Sequence, residues 1–145
     1  MERKWFVAAA PLLLMACLLA ACSGNTETAG SGAPSAEGIQ GFTVLTPQQL
    51  HDMMAERDVY VVNVHVPYEG EIGGTDAFIP YTEIASQLDK LPFDEQPVVL
   101  YCRSGVTSQQ AAEAMAAAGA PAFYELEGGY MAWQAAGYPF EVKQR

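Results

Sequence analysis

The chain has 145 residues, a formal charge of −10, three cysteines and two histidines. That length holds one domain with one core, since a second core would be too small. The acidic balance excludes nucleic acid as a partner, because its recognition calls for a basic patch. The Cys and His positions lack ligand spacing, so no metal site and no cofactor are expected.

Arg3 and Lys4 precede an apolar run from Trp5 to Ala21 that ends in small residues. A basic start, a short apolar stretch and no stop-transfer pattern beyond it are the marks of a secretory signal. Leu19-Ala20-Ala21-Cys22 resembles the bacterial lipoprotein box. The resemblance implies that Cys22 becomes the lipidated N-terminus; an ordinary signal peptide, or an uncleaved helix with a chance cysteine, is the alternative. The expected organisation is a signal over residues 1–21, lipidated Cys22 with a flexible linker over 22–41, and one domain over 42–145. Ser23 to Gly41 supports the linker, being too poor in large apolar residues to offset ordering entropy. The mature protein is then extracytoplasmic, attached to a bacterial membrane without spanning it. Loss of Glu2, Arg3 and Lys4 takes the charge one unit lower. Cys17 leaves with the signal, so Cys102 is the lone thiol and no internal disulfide forms. An unpaired thiol in an oxidising compartment is a liability unless its reactivity is used.

Thr46-Pro47-Gln48-Gln49 predicts a helix start, with Thr46 capping, Pro47 in the first helical position and Gln49 completing a capping box. Leu50, Met53 and Met54 form its inward stripe. Val59 to Val64 and Val98 to Tyr101 are apolar and largely β-branched, as suits strands covered on both faces. Between them Glu83 to Leu91 places Ile84, Leu88 and Leu91 at helical spacing. Ser108 to Ala118 is an alanine-rich helix closed by Gly119. Ala122 to Leu126 is a strand, and Tyr130 to Ala136 a short helix anchored by Trp133 and ended by Gly137. This alternation predicts an α/β domain with a mostly parallel central sheet flanked by helices, and a ligand site beyond the carboxyl ends of its strands.

Cys102 lies at that edge. Cys102-Arg103-Ser104-Gly105-Val106-Thr107 joins a buried strand to a helix expected to start near Ser108. A tight loop there turns backbone N–H groups inward, the helix dipole adds to their field, and the result binds anions. The same field lowers the pKa of a cysteine, so Cys102 is expected to be largely thiolate at neutral pH. Gly105 supplies the backbone freedom such a cradle requires. The bland reading of Cys102 is a small buried hydrophobe.

Val98-Val99-Leu100-Tyr101-Cys102-Arg103-Ser104-Gly105, together with Leu126-Glu127-Gly128-Gly129-Tyr130-Met131-Ala132-Trp133 and Gly137-Tyr138-Pro139, resembles the rhodanese-like family over roughly residues 42–140. The resemblance implies a cysteine that accepts sulfane sulfur, holds it as a persulfide and passes it on. Thiosulfate or a persulfide is the expected donor, and cyanide or a thiol the acceptor. Cys102 is then catalytic, and Arg103, Ser104, Gly105, Val106, Thr107 and Ser108 bind substrate. Thr107 stands where most active members have an arginine, which weakens the case for the thiosulfate dianion. Asn63-Val64-His65 replaces the usual Asp-Val-Arg, altering a structural ion pair. Gly73 to Pro80 departs from the usual Gly-His-Ile-Pro-Gly form and is assigned to the pocket mouth.

Several of these residues have two readings. Arg103 is a substrate contact or a solvated loop charge; Ser104 bonds the sulfur or caps the turn. His65 is expected to bond nearby backbone, His51 to lie on the helix surface, and Tyr130 and Trp133 to be core. A noncatalytic rhodanese-like binding module is the different-class alternative. A phosphatase on the related scaffold would need an arginine where Ser108 stands.

Overall fold

The computed structural model describes residues 41–144. In chain order the elements are β1 (Phe42–Leu45), α1 (Pro47–Glu56), β2 (Tyr60–Asn63), β3 (Glu71–Ile72), β4 (Thr75–Phe78), two 3-10 turns (Ile84–Ser86 and Leu88–Lys90), β5 (Val98–Tyr101), α2 (Val106–Ala117), β6 (Phe123–Leu126), α3 (Gly129–Ala135) and β7 (Phe140–Glu141). Five strands form one parallel sheet in the order β1-β6-β5-β2-β4. The short β3 and β7 pair antiparallel beside it.

Strand alternation sorts the core into two layers. Val62, Val64, Val98, Leu100, Cys102 and Phe123 face one side, against Ala111, Ala112 and Met115 of α2 and Ile84 and Leu91 of the turn region. Val61, Val99, Tyr101 and Leu126 face the other, against Leu50 of α1 and Tyr130 and Trp133 of α3. Both faces of the sheet are therefore covered, which is why its strands read as unbroken apolar runs. Fully burying each such side chain is worth about 1.5–3 kcal/mol.

The capping box of α1 forms in both directions: the Gln49 amide donates to Thr46 Oγ1 at 3.3 Å, and the Thr46 amide donates to Gln49 Oε1 at 2.8 Å. Of its stripe, Leu50 is fully buried and Met53 and Met54 half-buried. The helix expected over Glu83 to Leu91 is replaced by the two 3-10 turns. No side chain caps at Glu83, and the Ser86 hydroxyl donates back to the Glu83 carbonyl at 2.7 Å, which favours a tight turn over a propagating helix. Helix α2 starts at Val106, two residues before the expected place, because Gly105 is its N-cap in a left-handed conformation with φ +91. Gly73 to Pro80 contributes edge strand β4, hydrogen-bonded to β2. Among the described residues no helix is long and apolar enough to cross a membrane. The signal and lipidation expectations, Cys22 included, fall outside the described residues.

Candidate active site

Cys102 is the first residue past β5, and its side chain points to the α2 side of the sheet, 1% exposed. Two elements shape the turn that follows. Gly105 directs the chain into α2, and the N-terminus of α3 grips the turn from behind. The Tyr130 amide donates to the Cys102 carbonyl at 2.9 Å and the Met131 amide to the Arg103 carbonyl at 3.0 Å. Gly129 makes that approach possible. A Cβ there would lie 2.2 Å from the Cys102 carbonyl oxygen.

Within the turn, Sγ of Cys102 accepts from the Gly105 amide at 3.1 Å and from the Ser108 hydroxyl at 3.3 Å. Burial acts to raise the thiol pKa. Hydrogen bonds from the Ser108 and Thr107 hydroxyls and from the Ser108 and Ser104 amides outweigh it, and the thiol ends below its ordinary value. This is the arrangement of a stabilised thiolate.

Ser104 contributes to the sulfur through its backbone, and its side chain is exposed. Val106 and Thr107 belong to the first turn of α2 instead of the loop, Val106 61% exposed and Thr107 half-buried. Arg103 points outward, 3.4 Å from Oε1 of Glu69. Glu69 also accepts the Tyr130 hydroxyl and lies 3.3 Å from Nε2 of His65. The Tyr130 hydrogen bond, with Arg103 and His65 assisting, holds the Glu69 carboxyl below the usual range. The His65 ring thus meets a carboxylate and the edge of Tyr130, where a backbone partner was expected. His51 lies on the surface of α1 as expected, stacked on Tyr138 at 4.4 Å. Tyr130 and Trp133 are buried in the core. Asn63 is fully buried; it donates to the Gly70 carbonyl at 2.9 Å and accepts from the His65 amide at 3.0 Å.

Two site residues had no assigned role in the sequence reading. Glu69 gives no local signal, because only the fold brings it to Arg103. Glu125 does give one, as a charge inside the apolar run Phe123-Tyr124-Glu125-Leu126. It is 4% exposed and accepts the Ser108 hydroxyl at 2.6 Å. Burial pushes its carboxyl up to about 7, against the pull of the Ser108 hydrogen bond and with the help of the Glu127 charge. An open groove of about 310 Å³ runs past this flank, lined by Val44, Ser104, Gly105, Gln109, Glu125 and Glu127 among others.

The sequence model of the rhodanese-like domain matches residues 46–136, well over half of the chain. The chain belongs to the rhodanese-like domain family. It is 36% identical over 104 residues to the probable adenylyltransferase/sulfurtransferase MoeZ of Mycobacterium tuberculosis, a match covering 68% of this chain and 26% of that protein. The chain therefore spans about a quarter of that relative's length. The thiosulfate sulfurtransferase GlpE of Pseudoalteromonas translucida is 31% identical over 98 residues, 66% of this chain and 91% of GlpE. Among solved structures, a rhodanese-like domain protein of Staphylococcus aureus superposes with a TM-score of 0.57 at 28% identity, covering 70% of this chain and all but the ends of the other at 98%. The fold is that of the family, and these relatives support a sulfurtransferase-type function.

Proposed function

We propose that the domain is a sulfurtransferase that carries sulfane sulfur as a persulfide on Cys102. The observation that carries this reading is the pair of donors on Sγ, the Gly105 amide and the Ser108 hydroxyl, at the N-terminus of α2. A cysteine held this way is an activated nucleophile. The Cys102 thiolate attacks the outer sulfur of a persulfide donor; the new S–S bond forms as the donor S–S bond breaks and its thiolate leaves with the electron pair. An acceptor thiolate or cyanide then takes the outer sulfur, and the Cys102 thiolate returns. With thiosulfate as donor, sulfite is the leaving group.

Arg103 is already paired with Glu69, and Thr107 brings no charge, so the rim favours a donor of low charge over the thiosulfate dianion. The Leu19-Ala20-Ala21-Cys22 box supports lipidation of Cys22 and an extracytoplasmic place on a bacterial membrane. The intact mass of membrane-extracted protein tests that: a lipidated N-terminus at Cys22 is expected, and an unmodified N-terminus elsewhere would refute it.

Mass analysis of the Cys102 peptide tests the transferase reading, after the full-length protein is incubated with polysulfide or thiosulfate. One added sulfur, removed by cyanide and absent in Cys102→Ser, is the expected result. A noncatalytic binding module is the second reading, and the 1% exposure of Cys102 is what favours it. Absence of labelling with every donor would select that module.

A further inference from the structure

Ser108 has one hydroxyl hydrogen and three acceptors within reach: Oε1 of Glu125 at 2.6 Å, the Gly105 carbonyl at 3.1 Å and Sγ of Cys102 at 3.3 Å. The three side chains of Cys102, Ser108 and Glu125 are all buried. One hydrogen serves one acceptor well, so the protonation of Glu125 decides what the sulfur meets. When Glu125 is ionised, the hydroxyl is drawn to the carboxylate, the nearer and stronger acceptor. Its lone pairs then face Sγ, an arrangement that accepts from S–H and repels a thiolate. When Glu125 is protonated, the acid donates to Ser108 Oγ, and the hydroxyl hydrogen is free to turn to the sulfur.

The geometry points to Glu125 as the positioning residue that takes up the Cys102 proton through the Ser108 hydroxyl, so that Cys102 and Glu125 hold one negative charge between them. This inference rests on Cys102 being the nucleophile, as proposed above. As the S–H bond breaks, its proton goes to Ser108 Oγ and the hydroxyl's own proton passes to Glu125 Oε1. The products are a thiolate, an intact hydroxyl and a neutral carboxylic acid, with net charge unchanged. A persulfide anion keeps the same count, so the proton stays on Glu125 through a turnover.

The surroundings of Glu125 agree with a neutral acid. In register, β1 sets Val44 beside it and β5 sets Leu100. From α2 it meets Ser108, and at the turn Gly105 backs it. The charged neighbour acting on it is Glu127, of like sign. Among the described residues it takes part in no ion pair. Its carboxyl is raised and the Cys102 thiol lowered, so the two converge.

The test is the pH profile of iodoacetamide alkylation at Cys102, read by peptide mass in the full-length protein. Wild type should rise in two steps, one for each coupled ionisation. In Glu125→Gln the amide donates permanently to Ser108, so a single step is expected, lower than the upper wild-type step by about one to two pH units. Ser108→Ala should also show one step, shifted upward, and adding Glu125→Gln to it should change little. A residue that merely supports the fold would lower stability and leave the profile's shape alone. The inference is overturned if folded Glu125→Gln titrates like wild type, or if its effect survives undiminished in Ser108→Ala. Should Glu125→Gln fail to fold, Ser108→Ala alone decides: loss of the two-step shape supports the relay and retention refutes it. Alkylation needs no sulfur donor. A coupled profile without persulfide formation would therefore refute the transferase reading alone, and persulfide formation with an uncoupled profile would refute the relay alone.

Discussion

Two carboxylates bracket the Cys102 turn in opposite surroundings. Glu69 stands at the rim, 39% exposed, with the Tyr130 hydroxyl, Arg103 and His65 around it, and its carboxyl is held below the usual range. Glu125 lies beneath the sulfur, 4% exposed, with the Ser108 hydroxyl as hydrogen-bond partner, and burial pushes its carboxyl up to about 7. One functional group thus serves two ends. At the rim the Tyr130 hydroxyl, Arg103 and water keep it charged, and under the proposed sulfur transfer it sets the charge met by an incoming donor. At the floor dryness makes ionisation costly, and under the proposed relay it sets the protonation of Cys102.

The contrast has opposite signatures in stability. Glu125 has a folded pKa above the ordinary 4.5, so its contribution is fully present below about pH 4.5 and is lost as pH rises through about 7. Glu69 has a folded pKa below 4.5, so its contribution is present above that value and is lost as pH falls through the folded pKa. The largest expected effect follows from the first. Moving a carboxyl from 4.5 to about 7 corresponds to about 3 kcal/mol. Urea unfolding at about pH 4.5 and about pH 8 should show a decrease of that order in wild type that Glu125→Gln largely removes. An equal pH dependence in the two proteins would erase the distinction between floor and rim.

A smaller effect is expected from adding charge beside the sulfur. Thr107→Arg should raise kcat/KM for thiosulfate by roughly ten- to a hundredfold, from a charged hydrogen bond of about 1.5–3 kcal/mol and 1.36 kcal/mol per decade of rate. The loss of the Thr107 hydroxyl from the sulfur works against that gain. Cyanide-dependent thiocyanate release measures it; an equal gain with an uncharged persulfide donor would show that charge recognition is not the cause.

The smallest effect belongs to the rim itself. Glu69→Gln frees Arg103 for the donor, and an exposed ion pair of this kind changes thiosulfate kcat/KM by at most about fivefold, more at low salt. A decrease, or no response to ionic strength, would remove Glu69 from donor selection.

Where local chemistry decides, the sequence was readable. The Thr46 cap with Gln49, the buried runs of β2 and β5, and the place of Cys102 after β5 all follow from residue type and order. Where packing decides, it was not. β3 and β7 are two residues each and exist because the chain ends of other elements bring them together. The segment Glu83 to Leu91 has helical spacing, but the Ser86 hydroxyl turns back on the backbone. Ser108 is legible as part of the substrate-binding loop, but that its hydroxyl links the sulfur to Glu125 is not. Glu125 was visible as a charge in an apolar strand. Only the register, which sets it on the same face as Phe123, directs it toward Cys102.

Gly129 has a further consequence for transplantation. With φ +57 and no side chain, it lets α3 come close enough for its amides to hold the Cys102 and Arg103 carbonyls. The Cys102 turn is therefore moulded by a segment more than twenty residues downstream. Moving residues 102–108 alone into another strand-helix junction would carry over the letters and lose the shape. A working graft has to bring the Gly128-Gly129-Tyr130 turn as its mould.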